Sequence, residues 1–69
     1  MDMVPVSSRN LSAVGYEPSS AILRIQFNNG KLYEYYDVPQ YIYDELVAAE
    51  SKGSYAHKNI YKAFRQSEI

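Results

Sequence analysis

Leu23, Ile25 and Phe27 alternate with Arg24 and Gln26, and the run ends on Asn28-Asn29-Gly30 before Lys31 to Tyr36 leads back. Apolar and polar residues at a period of two mark a half-buried strand, and the Asn/Gly turn makes it the first arm of a hairpin. The register follows from the chemistry of the two runs. A two-residue Asn29-Gly30 loop sets Ile25 opposite Glu34 and puts a carboxylate on the apolar face. A three-residue loop ending in a left-handed Gly30 pairs Phe27 with Lys31 instead. Ile25 then faces Tyr33, Leu23 faces Tyr35 and Arg24 faces Glu34, with every apolar residue on one side. The three-residue loop is the expected one.

A hairpin alone is not stable in water, so the rest of the chain must cover its apolar face. Leu11 to Tyr16 reads as a strand closed by the turn-forming run Glu17-Pro18-Ser19-Ser20. Residues 11–36 then form a three-stranded antiparallel β-meander, preceded by an irregular arm over residues 1–10. Pro39 suits the first position of a helix, with Ile42, Leu46 and Ala49 at helical spacing and Tyr43 and Val47 beside them. Gly53 supplies a stop, helped by Lys52, and Ser54 caps a second helix running to Phe64 with Ala56, Ile60 and Phe64 inward. The expected fold is α+β: one domain over residues 1–69, with two α-helices in 39–64 packed on one face of the meander. Leu23, Ile25, Phe27, Ile42, Leu46, Ile60 and Phe64 are its expected core.

A chain of 69 residues rarely gains more than about 3–5 kcal/mol from a single core, and many such domains rely on disulfides or metals. This one has no cysteine and a single histidine, His57, so neither a disulfide nor a thiolate zinc site can form. Eight tyrosines and two phenylalanines bring large buried areas instead. No stretch is apolar for long enough to span a bilayer, and Met1-Asp2-Met3-Val4-Pro5 lacks the charged and apolar regions of a signal peptide. The expected location is the cytoplasm, with no membrane partner. Charge is unevenly spread. Residues 1–50 carry −4 and residues 51–69 carry +3, the latter from Lys52, Lys58, Lys62 and Arg65 against Glu68.

Val6-Ser7-Ser8, Gly15-Tyr16, Phe27-x-x-Gly30, Tyr33-Glu34-Tyr35, Val38-Pro39 and Ser51-Lys52-Gly53 occur in this order at close spacing. With these segments the chain resembles the KTSC domain, a family named for the C-terminal extension of some lysyl-tRNA synthetases and found also as small stand-alone bacterial and phage proteins. The resemblance covers nearly the whole chain. Its central mark is the Tyr-x-Tyr motif, here Tyr33 and Tyr35, followed by Val38-Pro39. The resemblance implies an RNA-binding role through the company the domain keeps, not through a chemistry of its own.

Three surfaces are candidates for that role. Lys58, Lys62 and Arg65 lie at i, i+4 and i+7, one stripe on the expected second helix, and such a stripe can follow a phosphate backbone. RNA is then contacted by Lys52, His57, Lys58, Lys62 and Arg65, with Tyr55 or Tyr61 stacking; the plainer reading is a solvated helix face. Tyr33 and Tyr35 could stack bases, but the hairpin register puts them with Gly30, Val38 and Pro39 among the structural residues of the motif. Leu11, Ala13, Ile22, Leu32 and Tyr36 should point away from the helices. Either the N-terminal arm with Val4 and Val6 covers them, or a protein partner or second copy does.

Catalysis has little support. His57 has no acid at i±3 or i±4, no serine sits in a nucleophile-elbow setting, and the adjacent Asp44 and Glu45 point in different directions. A non-catalytic module without cofactor or small-molecule substrate is the expectation.

Overall fold

The computed structural model describes all residues, 1–69. The hairpin is built as its chemistry requires. Strand β3, Ile22–Phe27, pairs antiparallel with β4, Leu32–Tyr35, through Leu23↔Tyr35, Arg24↔Glu34 and Ile25↔Tyr33. The Phe27 N–H donates to the Lys31 carbonyl at 2.8 Å, and Gly30 has φ +90. Arg24 and Glu34 form an ion pair on the face opposite the apolar residues. A β-branched side chain at Gly30 would be forced into a backbone region it resists. Gly30→Val should therefore lower stability by more than about 1 kcal/mol, read as a fall in the urea midpoint.

The sheet has five strands, not three. β2, Leu11–Glu17, is the expected first strand of the meander. The arm is not irregular throughout. Val4–Pro5 forms β1 and pairs with β2 through Val4↔Val14 and Pro5↔Ala13. Proline is tolerated there because an edge strand leaves its missing N–H without consequence. At the other edge Gln66–Glu68 forms β5 against β4, with Tyr33↔Glu68 and Tyr35↔Gln66. The order is β1-β2-β3-β4-β5, all antiparallel.

The helices start and stop differently from expectation. α1 spans Gln40–Ala48, with Pro39 extended just before it as the N-cap. α2 spans Lys52–Asn59 and begins before Gly53: Ser51 is its cap, its hydroxyl accepting from the Ser54 N–H. Gly53 is thus no helix stop. A Cβ there would lie 3.1 Å from the Asn10 side-chain nitrogen, so glycine lets the 7–10 loop approach the helix. α2 ends at Asn59, short of Phe64, because the chain must turn back to lay β5 beside β4; the Tyr36 N–H donates to Arg65 O at 2.9 Å on that return. The spacing of Ala56, Ile60 and Phe64 runs past the helix end because the turn keeps burying apolar side chains.

Leu11, Val14, Leu23, Ile25, Tyr35, Val38, Ile42, Leu46, Ala56 and Ile60 form the core. Phe27 and Phe64 pack at its rim, only partly buried. Leu11 is there because of a bulge: it pairs with Phe27 while Ala13 pairs with Gln26. The extra residue, Ser12, puts Leu11 and Ala13 on opposite faces. No helix is long and apolar enough to cross a membrane.

Three phenols make the fold sensitive to alkali. Tyr55 is pushed up to about 12 by burial and by its hydrogen bond to Glu45, and burial also raises Tyr35 and Tyr61. A raised pKa means the folded state holds the proton after the unfolded chain has released it. Stability is then complete below the ordinary phenol value of 10.0 and falls as pH climbs through the folded values. The thermal midpoint should be flat up to about pH 9 and drop steadily above about pH 10.

Candidate functional site

Two loops distant in sequence meet at one end of α2. Ser7-Ser8-Arg9-Asn10 lies against Glu50-Ser51-Lys52-Gly53-Ser54 across a hollow of about 650 Å³ that no hydrophobic side chain lines. The Ser8 hydroxyl accepts from the N–H groups of Asn10 and Leu11 at 3.3 and 3.4 Å, and the Ser51 hydroxyl accepts from Ser54 at 3.3 Å. Each hydroxyl keeps its own proton for donation. The Lys52 ammonium donates to the Ala49 carbonyl at 3.0 Å and has two further donors. Arg9 is exposed, and Glu50 is the only carboxylate lining the hollow.

This hollow does not stand alone. A second, of about 350 Å³, shares Arg9 and Asn10 with it and continues past Asn28 and Asn29 to Phe27 and Tyr61. A third of similar size shares Phe27, Asn29 and Tyr61 and adds Lys31, Tyr33, Tyr35 and Gln66. The three are neighbours linked by shared lining residues, a trough in three parts that is hydroxyl-lined and cationic at one end and aromatic at the other. Arg9, Lys31 and Lys52 line it against Glu50 alone, in a chain whose formal net charge is −1.

The aromatic end explains the Tyr-x-Tyr motif. Tyr35 is 2 % exposed and belongs to the core, while Tyr33 is half-buried with its hydroxyl 3.4 Å from Glu68. Tyr33 and Tyr35 rings are 6.4 Å apart at 28°, and Tyr35 and Tyr61 are 6.2 Å apart at 26°. The motif therefore builds the sheet face and, in the same act, one wall of the trough.

The expected basic stripe is not carried by one helix, because α2 ends at Asn59. Lys58 is on α2, Lys62 is in the turn beyond it, and Arg65 leads into β5. Arg65 lies 3.5 Å from Asp37 and over the Tyr36 ring, 5.6 Å from its centroid. The Tyr55 hydroxyl donates to Glu45 at 2.6 Å, linking the two helices. Of the residues expected to meet RNA, Lys52 and Tyr61 line the trough, and His57 stands edge-on to Tyr61. Arg9, Asn10, Asn29 and Lys31 were missed. The available signal was that Ser7-Ser8 and Ser51-Lys52-Gly53 are polar motif segments with no part in the apolar pattern.

The apolar back patch is also broken up. Leu11 is in the core, and Ala13 is buried. The arm covers part of this face: a Cβ on Gly15, which pairs with Arg24, would sit 2.8 Å from Asp2 O and 2.9 Å from Met3 Sδ. Ile22, Leu32 and Tyr36 stay half-buried. Val6 packs against the core, and Val4 is 47 % exposed. No group of three or more His, Asp or Glu side chains converges on a point that could hold a metal ion.

The fold and the neighbouring hollows define a small α+β domain with a trough in three parts on its surface. The chain belongs to the KTSC domain family, whose model matches residues 7–64. It is 41% identical over 63 residues to a protein of Tsukamurella paurometabola, covering 91% of this chain and 94% of that one. It is 39% identical over 59 residues to a lysine–tRNA ligase of Nostoc sp., covering 86% of this chain but 10% of the ligase. The crystal structure of a KTSC domain protein from Yersinia pestis superposes with a TM-score of 0.93 at 33% identity, covering 99% of this chain and 96% of that chain.

Proposed function

We propose that this chain is a non-catalytic module that binds single-stranded RNA along the trough, weakly and mainly through phosphates. The observation that carries this reading is the succession of three neighbouring hollows linked by shared lining residues. Cations and free hydroxyls at one end suit a phosphate backbone, and aromatic rings at the other suit bases. That a similar stretch occurs within lysine–tRNA ligases supports an RNA partner. The binding surface is the trough, not the dispersed cations Lys58, Lys62 and Arg65. Lys58 and Lys62 add only general attraction.

The test is the salt dependence of affinity for a mixed-sequence single-stranded RNA. Two to three phosphates neutralised by Arg9, Lys31 and Lys52 should give a log–log slope of roughly −1.4 to −2. Absence of binding at low salt would sink the proposal. A partner protein bound with salt-insensitive affinity would point to the half-buried Ile22, Leu32 and Tyr36 instead.

A further inference from the structure

We infer that the outer edge of β5 pairs antiparallel with β5 of a second copy of this chain, joining two sheets into one. β5 is the last strand of the sheet, and Gln66, Ser67 and Glu68 are all exposed. Its pairing to β4 fixes which backbone groups remain for a partner. The Tyr36 N–H donates to the Arg65 carbonyl and the Ile69 N–H to the Leu32 carbonyl, both at 2.9 Å. Backbone groups alternate sides along an antiparallel ladder, so Arg65, Ser67 and Ile69 turn theirs to β4. Gln66 and Glu68 turn theirs outward, along an open edge. The opposite edge is closed to such pairing, because β1 has only two residues and one of them is Pro5, which has no N–H. β5 carries neither proline nor lysine.

The sequence of β5 selects its own copy as the occupant. Outward groups must meet outward groups, which leaves three registers for a two-fold pair. Centred on Glu68, two carboxylates stand face to face, which is destabilising. Centred on Gln66, the strand pairs that residue with itself and leaves Glu68 opposite Phe64, outside the strand. Centred on Ser67, Gln66 lies opposite Glu68 in both directions, and each of these pairs exchanges two backbone hydrogen bonds. The side chains then match, amide against carboxylate. Gln66 Nε2 donates one hydrogen to the Tyr61 carbonyl at 2.8 Å and keeps the other. One Glu68 oxygen lies 3.4 Å from the Tyr33 hydroxyl, which leaves the second to accept. The two Ser67 residues meet at the axis in the closer, non-hydrogen-bonded kind of pair, where their hydroxyls bond across the strands.

The test is sedimentation of the full chain without RNA, at concentrations up to roughly 1 mM because so small a contact is weak. Amide hydrogen exchange is followed on the same samples. A dimer should form as concentration rises, and exchange at Gln66 and Glu68 should slow with it. Exchange at Ser67 and Ile69, already bonded to β4, should not change. Glu68→Pro removes one outward N–H from each copy and no bond to β4, so it should raise the dimer dissociation constant roughly tenfold or more. If proline loosens β5, Ser67→Lys serves. It leaves every backbone group in place, lies beside Glu34, and sets two ammonium groups at the axis, so it should weaken the dimer likewise. A dimer that neither variant weakens would overturn the inferred contact. A monomer at every concentration would also overturn it and leave the edge to an extended segment of another protein.

Discussion

Leu46→Ala is expected to lower the stability of this domain by about 2–5 kcal/mol, read as a fall in the urea midpoint at unchanged slope. Leu46 is fully buried on α1 and packs into the core that joins both helices to the sheet. Deleting its branched end removes apolar contact and leaves a cavity that a domain with no disulfide or metal cannot offset. Because so small a core supplies only about 3–5 kcal/mol, most of the variant should be unfolded at room temperature. Phe27→Ala removes a larger ring but should cost less, since Phe27 lies partly exposed at the core rim and lines the trough. An unchanged midpoint for Leu46→Ala would mean that α1 is not docked as described.

Arg9→Ala combined with Lys52→Ala should weaken binding of single-stranded RNA by roughly tenfold or more at low salt, given the ~1.5–3 kcal/mol of a hydrogen bond to a charged group. It should also flatten the log–log salt slope by about one to one and a half units. Arg9 is exposed, and Lys52 makes only one capping contact with Ala49, so the fold should survive. Lys58→Ala is the matched control: it removes the same charge from α2 at a site outside the trough and should leave the slope nearly unchanged. A larger loss from Lys58→Ala than from the double variant would return the site to the helix face.

The hairpin was legible because three independent signals agree: apolar alternation, a charge pair and a glycine at the third loop position. The edge strands lacked any such signal. Val4-Pro5 is too short to show a period, and Gln66-Ser67-Glu68 is polar throughout and held by backbone pairing to β4. The bulge at Ser12 carries no local mark, yet it moves Leu11 from the back of the sheet into the core. Helical spacing was equally misleading beyond Asn59, where Ile60 and Phe64 stay inward although the helix has ended. The site suffered most from this. Lys58, Lys62 and Arg65 form a stripe only if the helix continues, whereas the trough is assembled by the 7–10 loop, the hairpin turn and the start of α2. No spacing rule connects those segments, and only Lys52 and Tyr61 belong to both the expected and the observed site.

The central claim is that one trough carries the binding, and amide chemical-shift mapping of the ¹⁵N-labelled chain during titration with a short oligouridine addresses it directly. Shifts should concentrate at Arg9, Asn10, Asn29, Lys31, Lys52, Ser54 and Tyr61, in a band drawn from four segments of the chain. Shifts confined to Ile22, Leu32 and Tyr36, or to Lys58, Lys62 and Arg65, would contradict it.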